Sequence, residues 1–279
     1  MIAYEIAAAE AGRPWLTLVH GFSQNRRYFA PALPYLKPKF RLLLVDLRGH
    51  GASAALSGPY GIAEYADDLA KVFAHEGIER TRYWATHTGT AVGLVLALEQ
   101  PERFEKLVLE GTVLPGFLMP RTAELQARAS SISRSSGVTA ALEDWLGCAD
   151  WFANMREHPA TTNAAGQREL VNEFAGAPWL SDLTPGPAPD VRSRLGLIRQ
   201  PTLVYNGEHD LEEFKQVAAV LEAELAKAER LVIPDAGGFP LWENPDAAIP
   251  AVVEFLEKLG ARRDTRPEGL VSHTRDVHS

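Results

Sequence analysis

The sequence has very little cysteine: Cys148 is the only one among 279 residues. A single thiol excludes a framework of internal disulfides and is typical of a protein in a reducing compartment. The first twelve residues also lack a basic segment followed by an apolar one, the pattern of a secretory leader. We therefore expect a cytoplasmic protein.

Long apolar runs and an excess of positive charge are also missing. No eighteen consecutive residues are apolar, so no membrane-spanning helix is expected. The 28 Lys and Arg residues face 36 Asp and Glu residues, a net charge of −8, which disfavours nucleic acid and anionic membranes as partners. No nucleotide-binding or metal-ligand motif is present, so we expect no cofactor and no metal. A small molecule is the expected partner, and the oligomeric state is left open.

Short apolar runs alternate with helical patterns along the chain, as in βαβ units around a buried parallel sheet. The predicted helices are Ile62–His75, Thr88–Gln100, Leu211–Ala228 and Asp246–Leu259. The predicted strands are Trp15–His20, Arg41–Asp46, Thr81–Thr86, Lys106–Gly111, Pro201–Asn206 and Arg230–Pro234.

One interval, residues 113–195, interrupts this alternation because it contains no strand-like run. It is rich in aromatic side chains, among them Trp145 and Trp151, and we interpret it as a helical lid over a ligand pocket. Ordinary core packing is the alternative for each aromatic residue. Residues 1–112 and 196–260 form the predicted core domain, and the polar residues 261–279 are expected to be a disordered tail.

Four segments, in order, resemble the α/β-hydrolase superfamily, in particular its lidded members that act on small esters, lactones and diketones. The resemblance spans Pro14 to Leu259 and implies a mostly parallel twisted sheet flanked by helices, with an inserted helical lid. The segments are LVHGF at 18–22, VDLRGHGAS at 45–53, NGEHD at 206–210 and DAGGFPLWENP at 235–245.

The superfamily's nucleophile position is occupied here by a histidine. Members commonly place a proline fourteen residues after the nucleophile, and counting back from Pro101 arrives at His87. The turn therefore reads Ala-Thr-His-Thr-Gly where G-x-S-x-G is usual. Reading Thr88 as the nucleophile requires a one-residue shift that moves Gly89 out of its tight turn.

The family's base histidine is also missing, because Gly238 occupies its place five residues before Glu243. Asp210 stands where the acid of the triad belongs. A large residue, His87, stands at this turn, which is called the nucleophile elbow, and a large residue is missing from the facing loop at Gly238. We therefore predict that His87 leans into the space left by Gly238. There it would form a His–Asp dyad with Asp210 and act as a general base.

The resemblance implies that an oxyanion hole is retained. The backbone N–H groups of Phe22 and Thr88 are the candidate donors, and His20 is expected to support the same loop. Ser23 is a remote substitute nucleophile.

Glu110 lies at the end of a predicted buried strand, where the superfamily occasionally places an alternative acid. A glutamate at such a position is otherwise an expensive buried charge. The alternatives are that it pairs with an arginine such as Arg121, or that it reaches solvent at the strand tip.

The sequence thus predicts an atypical enzyme that acts on a small, mostly apolar ester, lactone or diketone. Its chemistry would be His-based acid/base catalysis without a serine acyl-enzyme. The alternative is a non-catalytic ligand-binding pseudoenzyme of the same fold. Loss of two triad positions favours the second interpretation, whereas replacement of the serine by a chemically able residue favours the first.

Overall fold

A computed structural model describes residues 1–7 and 12–258 of the chain. The predicted tail, residues 261–279, lies outside the described residues. No helix in the described ranges is long and apolar enough to cross a membrane.

Seven strands form one twisted sheet with the order β1-β3-β2-β4-β5-β6-β7. All neighbouring strands run parallel except β1, which pairs antiparallel with β3. The α/β fold predicted from the sequence is therefore confirmed. The strands are β1 Tyr4–Ala7, β2 Trp15–Val19, β3 Arg41–Val45, β4 Thr81–Thr86, β5 Phe104–Glu110, β6 Thr202–Gly207 and β7 Ala228–Ile233.

Helices connect the parallel strands and cover both faces of the sheet. The predicted helix bounds differ from those of the structure by no more than a few residues at each end, as fraying helix termini lead one to expect. The α-helices are α1 Leu33–Leu36, α2 Ile62–His75, α3 Thr88–Glu99, α4 Pro120–Ser136, α5 Val138–Cys148, α6 Ala153–Glu157, α7 Ala164–Asn172, α8 Ala177–Leu180, α9 Glu212–Glu224, α10 Pro240–Glu243 and α11 Pro245–Glu257.

The interval between β5 and β6 is helical, since α4 to α8 all lie in it and no strand does. We call residues 113–195 the insertion. Its aromatic side chains are buried, including Trp145, Trp151, Phe174 and Trp179. They belong to the same hydrophobic cluster as Leu16 of the sheet, so the insertion packs on the core domain.

The central strand β4 and helix α3 meet at very short range. A Cβ on Gly93 would lie 2.3 Å from the Tyr83 ring, and a Cβ on Gly89 would lie 2.4 Å from the carbonyl oxygen of Val19. Only residues without a side chain allow α3 to approach the sheet this closely. Helix α3 therefore packs directly against both β4 and β2.

Candidate active site

His87 is the single residue between β4 and α3, and its backbone has a positive φ of 44° with a ψ of −115°. A non-glycine residue in such a conformation is strained, and it persists only where the surroundings impose it. The register inferred from Pro101 agrees with this geometry. Thr88, the alternative nucleophile, is instead the first residue of α3.

The imidazole of His87 is buried in an apolar environment. Its Nδ1 lies 2.7 Å from the Thr86 hydroxyl, whereas its Nε2 is buried without a hydrogen-bond partner among the described residues. The rings of Phe214 and Phe239 each lie with their centroids 4.9 Å from that of the imidazole. Burial lowers the pKa of His87 to about 3, so the ring is neutral at pH 7.

The dyad predicted between His87 and Asp210 is not formed. The carboxylate of Asp210 accepts a hydrogen bond of 2.7 Å from the Asn206 side chain and one of 2.8 Å from the N–H of Leu211. Neither of its oxygens is bonded to the imidazole. Burial raises the pKa of Asp210 to about 7.

The space that Gly238 leaves open is filled from the insertion and not by His87. A Cβ on Gly238 would lie 2.6 Å from the carbonyl oxygen of Trp151 and 2.7 Å from its Cβ. The imidazole is instead next to Gly111, where a Cβ would come within 2.9 Å of both Cε1 and Nε2. The prediction that the ring leans toward Gly238 is therefore wrong, because the tryptophan already occupies that place.

The loop around Gly238 is held in position by a buried carboxylate. Glu243 accepts hydrogen bonds of 2.8 Å and 2.9 Å from the N–H groups of Gly237 and Phe239, and one of 2.5 Å from Asn154 of the insertion. Burial raises the pKa of Glu243. These contacts fix the ring of Phe239 against His87.

Glu110 is fully buried at the end of β5. It accepts hydrogen bonds of 2.5 Å from the Tyr28 hydroxyl and 2.6 Å from the Tyr205 hydroxyl. Burial raises the pKa of Glu110 to about 7, although both phenols oppose the rise. Neither sequence alternative holds: the carboxylate does not reach solvent, and Arg121 pairs with acidic side chains of the insertion instead.

The loop after β2 borders the elbow. A Cβ on Gly21 would lie 3.0 Å from the Cβ of His87, so the following residue, Phe22, is close to the start of α3. The N–H groups of Phe22 and Thr88 donate to no acceptor among the described residues. Two unsatisfied donors beside a helix start are suited to a developing negative charge.

His20 and Ser23 have structural contacts. The Nε2 of His20 accepts from the N–H of Leu47 at 3.0 Å, so its Nδ1 carries the proton and donates to the carbonyl oxygen of Gly21 at 2.7 Å. Burial lowers the pKa of His20 to about 4. The Ser23 hydroxyl accepts a 3.0 Å hydrogen bond from the indole of Trp145. Neither side chain lines the cavity at the elbow.

A cavity of about 40 Å³ lies over His87, enough for about one or two water molecules. Five of the predicted residues line it: Phe22, His87, Thr88, Trp145 and Trp151. Asp210, Glu110, His20, Ser23 and Gly238 do not. Sequence reasoning missed Val113, Thr122, Gln126, Phe214 and Phe239. The neighbouring motifs could have indicated only Phe239, which follows Gly238 directly, and Phe214, which lies four residues after Asp210.

Comparison with known proteins places this chain in a family. A family model described as the alpha/beta hydrolase fold matches residues 14–245. The 2-succinyl-6-hydroxy-2,4-cyclohexadiene-1-carboxylate synthase of Citrobacter koseri is 30% identical over 257 residues, which are 88% of this chain and 95% of that protein. The pimeloyl-[acyl-carrier protein] methyl ester esterase of Nitrosospira multiformis is 26% identical over 252 residues, 87% of this chain and 94% of the relative.

A solved structure agrees with these sequence matches. The enol-lactonase from Burkholderia xenovorans LB400 superposes with a TM-score of 0.78 at 27% identity, covering 91% of this chain and 96% of that one. The overall fold of this chain is therefore that of a known architecture. The chain belongs to the α/β-hydrolase fold family.

Proposed function

We propose that the protein is an atypical α/β-hydrolase-fold enzyme that acts on a small, mostly apolar carbonyl compound. In this proposal His87 is a general base, and no acyl-enzyme forms on a serine. One observation carries the proposal: the Nε2 of a neutral imidazole is buried without a partner at the nucleophile elbow. A buried polar nitrogen without a partner is unfavourable by about 1–3 kcal/mol, so a ligand that forms a hydrogen bond with Nε2 gains that free energy.

In this proposal the imidazole of His87 transfers a proton, and backbone N–H groups beside it stabilise the negative charge that develops on the substrate. The Nε2 lone pair accepts a proton from a water molecule, a substrate hydroxyl or a C–H group next to a carbonyl, a step that typically contributes about 10²–10⁴-fold. The negative charge that develops on the carbonyl oxygen faces the N–H groups of Phe22 and Thr88. That charge also favours the imidazolium form, which compensates for the low pKa of His87 in the empty pocket.

The insertion serves as the lid in this proposal. Trp145 and Trp151 line the cavity from the insertion, and Phe214 and Phe239 cover the imidazole from the core domain. Because the cavity holds about 40 Å³, the insertion must shift before an ester or lactone can enter. The aromatic lining favours an apolar substrate, and the names of two relatives, a methyl ester esterase and an enol-lactonase, also specify carbonyl compounds.

A second candidate is a binding protein without turnover. The absence of any direct contact between His87 and a carboxylate favours it, because a desolvated imidazole with a pKa of about 3 is a weak base. Such a protein would use Nε2 only to accept a hydrogen bond from its ligand.

The two candidates are separated by assaying wild type and His87→Gln with a panel of small esters, lactones and β-diketones. Turnover is followed by product formation and by deuterium exchange of the diketone C–H in D₂O, observed by NMR. We expect activity in wild type and a loss of about 100-fold or more in His87→Gln. His209→Gln is the matched control, since that ring is exposed outside the cavity, and it should retain full activity.

Equal turnover by wild type and His87→Gln would contradict the proposal. Thermal stabilisation of wild type by a panel member, with neither product nor exchange at any pH, would establish the binding protein instead.

A further inference from the structure

Gln126 brings a polar side chain from the insertion to the cavity over His87. It lies on α4 and lines the cavity together with the imidazole. Because the cavity holds only about 40 Å³, the space of about one or two water molecules, a group placed in it lies close to both side chains. The proposed function uses His87 and two backbone N–H groups, and it gives Gln126 no part.

The orientation of the Gln126 amide is fixed by Trp179. The indole N–H of Trp179 donates to Oε1 of Gln126 at 3.1 Å. Since an indole nitrogen can only donate, the amide oxygen and not the amide nitrogen must face it. The backbone of Trp179 is held by the same face of α4, because its carbonyl oxygen accepts a 2.7 Å hydrogen bond from Ser130, four residues after Gln126. Trp179 is therefore attached to α4 at two points.

The amide nitrogen of Gln126 is left as a donor. Its Nε2 carries two N–H groups and donates to no acceptor among the described residues. Two other polar side chains that line the cavity are already engaged, since the indole of Trp145 donates to Ser23 and the hydroxyl of Thr122 donates to Glu213. Gln126 thus offers a substrate a donor whose orientation is set before binding.

We propose that Gln126 selects β-dicarbonyl substrates by donating a hydrogen bond from its Nε2 to the second carbonyl oxygen. The first carbonyl oxygen accepts from the N–H groups of Phe22 and Thr88, and the carbon between the two carbonyl groups faces His87. When that carbon gives its proton to Nε2 of His87, the electron pair of the C–H bond passes into an enolate whose charge is shared by the two oxygens. Each oxygen then has donors of its own.

A β-dicarbonyl compound also suits the weak base at this site. Burial lowers the pKa of His87 to about 3, and a weak base removes an acidic proton more readily than a less acidic one. A C–H group between two carbonyl groups is more acidic than one beside a single carbonyl, because two oxygens share the charge of the enolate. This inference rests on the proposed function and narrows its substrate to diketones and β-keto esters.

The test compares acetylacetone with methyl propyl ketone, which has the same carbon chain but lacks the second carbonyl oxygen. Dissociation constants are measured by NMR titration of wild type and of Gln126→Met, a variant that keeps the length of the side chain and loses the donor. We expect wild type to bind acetylacetone more tightly than the ketone. Gln126→Met should weaken acetylacetone by about 2- to 12-fold, as the loss of one hydrogen bond predicts, and leave the ketone unchanged.

Gln126→Glu is a second, independent variant. Its carboxylate can still accept from the indole of Trp179, but the free amide nitrogen is replaced by an oxygen that can only accept. This variant should weaken acetylacetone at least as much as Gln126→Met does. Gln216→Met is the matched control, since it is the same substitution at an exposed glutamine outside the cavity, and it should bind both ligands as wild type does.

Equal weakening of both ligands in Gln126→Met, unchanged affinity of that variant for acetylacetone, or no preference for acetylacetone in wild type would overturn the inference. Failure of the proposed function has a different signature. In that case the preference for acetylacetone still depends on Gln126, while wild type forms no product and exchanges the C–H of acetylacetone in D₂O no faster than buffer does.

Discussion

The imidazole of His87 lies directly against Gly111, so that a Cβ on Gly111 would come within 2.9 Å of both Cε1 and Nε2. The ring that replaces a nucleophile is thus accommodated by a residue without a side chain at the end of β5. This contact accounts for the orientation of the ring better than the vacancy at Gly238, which the insertion fills.

The contact can be measured by a double-mutant cycle. We expect Gly111→Ala to destabilise wild type more than it destabilises a His87→Ala variant, with a coupling free energy of about 0.5–3 kcal/mol. The strain of placing alanine at φ 53° is the same in both backgrounds and cancels. Urea unfolding of the four proteins gives the coupling, and additive effects would show that the ring does not depend on Gly111.

A second prediction concerns Gly238 and the insertion. Gly238→Ala should destabilise the protein by about 1–3 kcal/mol, because the new Cβ would overlap the carbonyl oxygen of Trp151. Gly147→Ala is the control: a Cβ there meets no atom within 4 Å, and alanine is the better helix former by up to about 1 kcal/mol. Urea unfolding measures the stability of both variants. Equal stability of Gly238→Ala and wild type would show that Trp151 moves aside without a loss of folding stability.

The pH dependence of stability tests the burial of His87. The pKa of this residue is about 3 in the folded protein and about 6.5 in an unfolded chain. Between these values the unfolded chain binds a proton that the folded protein does not. The free energy of unfolding therefore falls as the pH falls through this window, by about 1.4 kcal/mol per pH unit for this residue.

His87→Gln removes that contribution. As the pH falls from 6 to 4.5, the unfolding free energy of wild type should fall relative to that of His87→Gln, by about 1.4 kcal/mol per pH unit. His20 and His50 are also buried with lowered pKa values, but they are present in both proteins and cancel. Parallel stability curves would mean that His87 is protonated in the folded state.

Asp210 should change the stability with pH in the opposite direction to His87. Its pKa is raised from 3.8 to about 7, so the folded protein binds an extra proton between these values and loses stability as the pH rises through them. Asp210→Asn cannot ionise, and its amide oxygen can still accept from Leu211. We expect the variant to gain stability relative to wild type between pH 4 and pH 8.

The measurement is urea unfolding across that range, with Asp182→Asn as the control, since that side chain is 89% exposed. Only the Asp210 variant should show a stability difference that changes with pH. A difference independent of pH would mean that Asp210 remains ionised throughout and is paired in a way that the structure does not show.

The sequence predicted most of the sheet because β2 to β6 are short, largely apolar runs that are buried along most of their length, and β7, although partly exposed, ends in the apolar run Leu231–Ile233. Strand β1 was missed because Tyr4–Ala7 is a four-residue edge strand with a half-exposed pattern, and such a strand gives little periodic signal. The position of His87 could be deduced because the distance to Pro101 is fixed by the length of α3, a local property of the chain.

The partner of His87 could not be deduced in the same way. Whether the ring turns toward Gly238 or Gly111 depends on Trp151, which comes from a different part of the chain and reaches the site only through the packing of the insertion. The contact between Glu110 and Tyr28 is also non-local, because the two residues are far apart in the sequence and meet only in the folded protein. Sequence marked Glu110 as unusual, but only the structure shows what it contacts.

The contact between Trp151 and Gly238 has a consequence for how the sequence can change. A serine at position 87 alone would provide a nucleophile without a base, and a histidine at position 238 would overlap the insertion. A return to a Ser–His–Asp triad thus requires changes at 87, 238 and the segment around 151 together. None of these changes alone produces a working triad. The present arrangement is mutationally isolated from the ordinary triad, although both are built on one backbone.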